Sequence, residues 1–206
     1  MKIFLTGLTG IFLFAQATGQ SIDATMARYI YTDSTYTLFP EGEITILNSL
    51  PKGGSLAPDG SQYRDSQGRQ FAFANFWTQV QNHTPKIMEL HIDFQETTFP
   101  IFKTPGSFLQ LLIPYDLVNL DQLDLFNYGL EDIQNKFDQN NHQPVRQQYR
   151  LFPGEIVTFF VATLSYNAAG TPRAQMILKG NSLFYEVNFA PHGGGLIPCG
   201  SIFTLE

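Results

Sequence analysis

Short segments of alternating apolar and polar residues, separated by glycine, proline and asparagine, limit the fold of this chain more than any other feature. FAFANFWTQV (71–80) and IMELHIDF (87–94) have the two-residue period of β-strands. The first is apolar on both faces, which predicts a core strand. The second is apolar on one face only, which predicts a half-buried strand. We therefore expect a mainly β protein, folded as an antiparallel β-sandwich.

One stretch breaks this alternation. From Gly129, GLEDIQNKFDQN places Leu130, Ile133 and Phe137 at helical spacing, with acidic residues in the first turn. The pattern predicts one short helix that connects strands, and an irregular loop is the alternative. Further along, the Gly180-Asn181 pair in LKGNSLF predicts a tight hairpin.

A short motif occurs twice, as YTLFPEGEIT from Tyr36 and as YRLFPGEIVT from Tyr149. Too little chain follows the second copy for a duplicated domain. Proline and glycine favour turns, and each copy runs into a β-rich segment. We interpret the repeat as one turn geometry used twice where the chain enters core strands.

The N-terminus has the three parts of a secretory signal peptide. Lys2 precedes an apolar run from Ile3 to Ala15, and small residues follow in the pattern of a cleavage site. The alternative is a buried first helix or strand. We expect residues 1–19 to be a signal peptide and residues 20–206 to form a single β-sandwich domain. The protein would then be exported, to a periplasm or to the extracellular space, with no later apolar run of transmembrane length.

Charge and cysteine usage exclude several classes of protein. Removing Lys2 with the signal peptide takes the formal net charge from −6 to −7, and no basic block is present. A nucleic-acid partner is therefore not expected. Cys199 is the only cysteine, so no intramolecular disulfide can form, and the 19 phenylalanines and 9 tyrosines must supply the core. Cys199 could pair with His192 as a nucleophile, but a buried, inert thiol is the simpler interpretation.

Two segments resemble a known family. LFPGEIVTFFV is similar to the L-x-P-G-E-x-x-x-F-x-V stretch of immunoglobulin-like sandwiches in exported bacterial proteins, where it precedes a central strand. FWTQVQNHTPKIMELHIDF likewise resembles their strand, Asn-x-Thr-Pro, strand segment. The chain also looks like uncharacterised exported bacterial proteins. The resemblance implies an immunoglobulin-like architecture and a binding or scaffold role, and it supplies no catalytic residues.

His91 and Asp93 are the candidate metal ligands. Their two-residue spacing on a strand places both side chains on one face, and Glu89 extends that row. A solvated polar strand face is the alternative interpretation. We expect no cofactor.

Three tyrosines, Tyr63, Tyr128 and Tyr166, are predicted to lie on loops or at a strand end. Tyrosine rings there could stack on the flat apolar faces of sugars. They are the candidate ligand-binding residues, and the alternative is that they belong to the core.

Three classes of function remain. The uncharged strands and the missing catalytic motifs favour an exported, non-catalytic binding or structural domain with a protein or glycan partner, which could form homo-oligomers. The second class is a carbohydrate-binding module. The third is a hydrolase whose acidic site is assembled by the fold from carboxylates such as Asp116, Asp121, Asp124, Glu131 and Asp132.

Overall fold

The computed structural model describes residues 24–38, 40–101, 105–140, 143–191 and 193–205. The predicted signal peptide lies outside these residues, as does His192. The described chain contains two α-helices, α1 (Ala24–Ala27) and α2 (Ile133–Asn140). Its strands, in chain order, are β1 (Ile30–Leu38), β2 (Gly42–Ser49), β3 (Lys52–Gly54), β4 (Phe71–Asn82), β5 (Met88–Phe94), β6 (Thr98–Pro100), β7 (Phe108–Leu112), β8 (Val145–Leu151), β9 (Ile156–Tyr166), β10 (Pro172–Lys179), β11 (Ser182–Phe189) and β12 (Gly193–Thr204).

The strands form two antiparallel sheets. Sheet 1 has the order β1-β2-β4-β9-β7-β6, with β3 also paired to β4. Sheet 2 has the order β10-β11-β12-β5-β8. Apolar residues of both sheets pack into one shared core, so the predicted mainly β sandwich is confirmed. The immunoglobulin-like assignment stays a prediction.

Burial along the strands follows the alternation in the sequence. In β5 the four apolar residues are buried and the three polar ones are half-buried, as predicted. In β4 every residue from Phe73 to Val80 is buried, so this strand is covered on both faces, as its sequence predicts. Phe76 and Val80 enter the core between the sheets, whereas Phe73 and Trp77 enter a second core.

The predicted hairpin and helix are both present. Lys179 pairs with Ser182 across Gly180-Asn181, and Gly180 has a φ of 61°. The helix α2 lies in the connection from β7 to β8 but begins at Ile133, four residues after Gly129. A 3₁₀ turn at Phe126–Gly129 and an extended residue at Leu130 precede it instead. Within the described residues, no helix is long and apolar enough to cross a membrane.

Cys199 lies in an irregularity of the β11–β12 pairing. Leu183 pairs with Gly200 and Phe184 with Pro198, so Cys199 is the extra residue. The thiol is fully buried in the core between the sheets, and this burial raises its pKa. A raised pKa keeps the thiol protonated and unreactive, which agrees with the interpretation of Cys199 as a small apolar residue.

Candidate functional site

The outer face of sheet 1 carries the second core. Side chains of β4 and β9 that point away from sheet 2, among them Phe71, Trp77 and Phe160, are buried there. They are covered by residues from two connections, the loop 55–70 and the segment 113–140. We call these two connections the cover. A β-sandwich needs only the core between its two sheets. The cover is a further layer, and it packs on the outer face of sheet 1.

Lys52 and Tyr128 attach the cover to the sheet. Lys52 Nζ donates to the carbonyl oxygens of Leu123 and Leu125, the second at 3.0 Å. The same ammonium lies 4.9 Å from the centre of the Tyr128 ring, within the range of a cation–π interaction. Tyr128 in turn donates to the carbonyl oxygen of Leu50 at 2.6 Å. These contacts fix the 3₁₀ turn at the point where the cover meets β3.

Between the cover and the sheet lies a half-enclosed cleft of about 460 Å³. Apolar and polar side chains line it in similar numbers, with Phe73 from β4 and Phe126 from the 3₁₀ turn in edge-to-face contact at 5.8 Å between ring centres. Its polar lining includes Ser61, Asp132 and Gln134. A concave surface with aromatic walls and a few polar groups is the usual form of a small-ligand site.

Two buried amides next to the cleft have unused hydrogen-bonding capacity. Asn75, fully buried in β4, donates from Nδ2 to the carbonyl oxygen of Asn127 at 3.3 Å. The side-chain oxygens of Asn75 and of Asn127 have no partner among the described residues. Asn127 lines the cleft and is only 6% exposed. Because a buried acceptor without a partner is costly, these two amides mark a point where the contact between the cover and β4 is incompletely satisfied.

Backbone strain is concentrated in the same part of the cover. Asn127, Tyr128 and Asp132 have positive φ angles of 53°, 58° and 52°, although none of them is glycine. Such conformations cost free energy and are found most often where a site must be held in one shape. Here they lie next to or in the wall of the cleft.

The three predicted tyrosines have different surroundings. Tyr63 and Tyr128 are buried, at 7% and 1% exposed, and their hydroxyls donate to Asp138 Oδ1 at 2.7 Å and to Leu50. Tyr63 borders the cleft, whereas Tyr128 serves as an anchor of the cover. Tyr166 is half-buried at the end of β9 and lines a second, shallower hollow with Arg69. Stacking of sugars on these tyrosines stays a prediction.

His91 and Asp93 face outward on sheet 2, as predicted, within a network of ion pairs. His91 Nε2 lies 3.1 Å from Glu89 Oε2, and Arg150 donates to the other oxygen of Glu89 at 2.7 Å. Arg146 donates to Asp93 at 3.2 Å. In the part of the chain that the structure describes, no three His, Cys, Asp or Glu side chains come close enough to hold a metal ion.

The carboxylates predicted for a hydrolase are distributed over the cover. Asp116 pairs with Lys136 at 3.0 Å, and Asp124 pairs with Arg28 at 2.6 Å. Asp132 lines the cleft, where Asp59 is the other lining carboxylate. Hydrogen bonds from Ser61 lower the pKa of Asp59, whereas a general acid requires a raised pKa. The hydrolase alternative stays a prediction.

Most of the residues that form the cleft are missed by the sequence interpretation. The strand pattern assigns Phe73 only to a strand, and it gives no reason to single out Phe126 or Asn127. One signal is present, because Asn75 interrupts the apolar run from Phe71 to Trp77. A buried amide in such a place needs partners from another segment, here the turn at Asn127.

No protein-family model fits the chain, and no curated protein is similar to it in sequence.

The buried tyrosines make stability sensitive to alkaline pH. Burial raises the pKa of Tyr128 to about 12 and that of Tyr149 to about 12. In the unfolded chain these hydroxyls ionise near pH 10. The folded protein therefore holds their protons to higher pH, so their contribution to stability is complete below about pH 10 and is lost as the pH rises towards 12. The raised pKa of the Cys199 thiol likewise makes the folded protein less stable as the pH rises above about 8.5, where a free thiol begins to ionise.

We expect the free energy of unfolding, measured by urea denaturation, to fall steeply between pH 10 and pH 11. In Tyr128→Phe the slope should be shallower by up to about 1.4 kcal/mol per pH unit, since one titrating group is gone. An unchanged slope in this variant would contradict the raised pKa of Tyr128 in the folded protein. Tyr31→Phe, which alters an exposed tyrosine, is the matched control.

Proposed function

We propose that this chain is an exported, non-catalytic binding domain and that its ligand occupies the cleft between the cover and the outer face of sheet 1. The proposal is carried by one observation: the cover and the outer face of sheet 1 enclose a hollow lined by aromatic and polar side chains, next to two buried amide oxygens without a partner among the described residues. The signal-peptide pattern at residues 1–19 supports export.

The lining of the cleft favours a carbohydrate over a purely apolar ligand. Sugars present flat C–H faces edged by hydroxyl groups, which suit the rings of Phe73 and Phe126 and the polar side chains of Ser61 and Gln134. The carbohydrate-binding alternative drawn from the sequence is therefore the form of this proposal that we favour, although its site lies mostly on other residues.

The test is titration calorimetry of the mature protein with neutral tetrasaccharides of glucose, xylose, galactose and N-acetylglucosamine. We expect at least one to bind, and Phe126→Ala to weaken that binding about tenfold, which corresponds to about 1.4 kcal/mol. Phe126 is 37% exposed, so the variant should fold, and its melting temperature verifies this.

The matched control is Phe203→Ala. Phe203 is an equally accessible aromatic, at 45% exposed, but it lies on sheet 2. Its replacement should leave affinity unchanged. The proposal is overturned if no tetrasaccharide binds, or if Phe203→Ala weakens binding and Phe126→Ala does not.

A further inference from the structure

A second hollow lies beside the cleft, and its charged lining residues are both arginines. We call it the basin, and its volume is about 440 Å³. Its lining residues are Arg64, Gln67, Gly68, Arg69, Gln70, Tyr166 and Asn167. The formal net charge of the whole chain is −6. The chain as a whole is therefore negatively charged, whereas the two charged side chains that line this hollow are positive.

Arg69 is held in a fixed position. Its guanidinium carbon lies 5.3 Å from the centre of the Phe108 ring and 5.5 Å from that of Tyr166. Its Nε donates to Asp65 Oδ2 at 2.6 Å. Its two terminal nitrogens make no hydrogen bond to a described residue. A guanidinium held by its Nε and its faces, with terminal donors that no described residue uses, is prepared to bind a planar oxyanion.

Asp65 offsets the charge of Arg69 through an ion pair, but it does so at Nε and not at the terminal nitrogens. Its Oδ1 accepts from the backbone N–H groups of Gln67 at 3.0 Å and of Arg69 at 2.9 Å, while Oδ2 accepts from the Arg69 side chain. Burial opposes ionisation, but these hydrogen bonds still lower the pKa of Asp65. The carboxylate is thus fully used in holding the turn, and it is not among the residues that line the basin.

Arg64 supplies the second charge. It is exposed, and it donates weakly to the carbonyl oxygen of Gly68 at 3.4 Å. The Gln70 amide, with its oxygen turned towards Arg64, accepts from the same guanidinium. Both partners are neutral, so the positive charge of Arg64 has no counter-charge in these contacts. It faces the same hollow as Arg69.

The basin and the cleft are neighbours on one surface. Leu164 lines the cleft and Tyr166 lines the basin. They are two residues apart on β9 and therefore on the same face, separated by about 7 Å along the strand. The Phe71 ring bridges the two hollows, with centres 5.4 Å from Tyr63 and 5.5 Å from Tyr166.

We infer that the basin is an oxyanion subsite of the same ligand site, and that the ligand is an acidic oligosaccharide. One sugar ring would lie in the cleft, and a carboxylate or sulfate on the neighbouring ring would accept from Arg64 and Arg69. This inference rests on the proposed function, since it takes the cleft as a sugar site. Three observations support it. Two arginines line the basin, aromatic rings hold the Arg69 guanidinium in place, and the residues of β9 that line the basin and the cleft are only two positions apart.

The test uses matched acidic and neutral ligands. Trigalacturonate is titrated against its methyl ester, and a sulfated tetrasaccharide against its desulfated form, at 50 mM and 500 mM NaCl. We expect the acidic member of at least one pair to bind tenfold or more tightly than the neutral one at 50 mM NaCl. The preference should shrink at 500 mM, where charges are screened over shorter distances. The pair with the larger preference identifies the anion as carboxylate or sulfate.

Variants separate the basin from the cleft. Arg64→Gln, at an exposed position, should abolish most of the acidic preference and leave the affinity for the neutral member unchanged. Arg146→Gln, which removes an exposed arginine from sheet 2, should alter neither. If both members bind equally, or if Arg64→Gln leaves the preference intact, the inference is overturned while the proposed function stands. If neither member of either pair binds, the inference is overturned, and the proposed function then stands or falls with the neutral tetrasaccharides.

Discussion

Replacement of Asn48 by alanine is expected to lower the free energy of unfolding by about 3–5 kcal/mol, a large effect for a single polar side chain. Asn48 is 2% exposed on β2 of sheet 1. Its side chain reaches Met176 of β10 in sheet 2, where Oδ1 accepts from the backbone N–H at 2.7 Å and Nδ2 donates to the carbonyl oxygen at 3.1 Å. The Asn48 amide therefore joins β2 of sheet 1 to β10 of sheet 2 by two hydrogen bonds.

The expected size of this effect follows from what alanine would leave unpaired. Asn48 also accepts from Thr78 Oγ1 at 3.1 Å and donates to Thr32 Oγ1 at 3.0 Å. Four hydrogen bonds, at about 1 kcal/mol each, would be lost. Met176 is fully buried, so water cannot easily replace the amide at its backbone groups. For a chain of this size the melting temperature should fall by roughly 6–20 °C.

The matched control for Asn48 is Asn188→Ala. Asn188 is an exposed amide on β11 of sheet 2, and its replacement should change stability by less than about 0.5 kcal/mol. Urea unfolding of both variants at pH 7 provides the measurement. A loss below about 1 kcal/mol for Asn48→Ala would mean that these bonds contribute little beyond what water supplies.

Strand positions could be predicted from the sequence because the period of a strand is local. The alternation in FAFANFWTQV and IMELHIDF depends only on neighbouring residues, and the burial of β4 and β5 follows it. The Gly180-Asn181 hairpin was predictable for the same reason. The start of α2 was not, since Glu131 and Asp132 suggest a first helical turn while Asp132 has a positive φ.

The candidate site could not be predicted in the same way, because contacts between distant segments form it. Apolar residues on both faces of β4 require a second cover, but no local pattern identifies which segment supplies it. The structure brings Tyr63 to Asp138, 75 residues apart, and Tyr128 to Leu50, 78 residues apart. Both tyrosines lie in stretches with loop composition, so their burial depends on tertiary contacts that composition does not encode.

The repeated LFP motif shows what local sequence does establish. Both copies lead into strands of sheet 1, β2 and β9, as predicted. The first connects two neighbouring strands of that sheet, whereas the second crosses from β8 in sheet 2. Their glycines differ as well, with φ of 127° at Gly42 and 83° at Gly154. The copies share a position before a core strand but not one turn geometry.

The two copies meet at the same corner, where β4 ends. Asn82 donates from its backbone N–H to Glu155 at 3.0 Å and accepts from Gly154 at 2.8 Å, both in the second copy. His83 donates from its backbone to Glu43 of the first copy at 3.0 Å. The chain leaving β4 for sheet 2 is therefore bound on both sides by the repeated motif.

The side chain of Asn82 holds this corner together. It is fully buried, with Nδ2 donating to the carbonyl oxygens of Lys86 at 2.9 Å and Leu151 at 3.0 Å. Its Oδ1 accepts from the backbone N–H of Thr84 at 2.9 Å. Asn82→Ala removes these three bonds and is expected to lower the free energy of unfolding by about 3 kcal/mol. Urea unfolding monitored by the fluorescence of Trp77 provides the measurement.

Two further variants show whether the loss comes from these bonds. Asn82→Asp keeps the shape and the acceptor for Thr84, but its carboxylate faces the carbonyl oxygens of Lys86 and Leu151. It should therefore be at least as unstable as the alanine variant at pH 7. His83→Ala removes the neighbouring exposed side chain and should cost less than about 0.5 kcal/mol. An aspartate variant as stable as the unaltered protein would show that the two donated bonds do not hold the corner, and that backbone contacts with the repeated motif are sufficient.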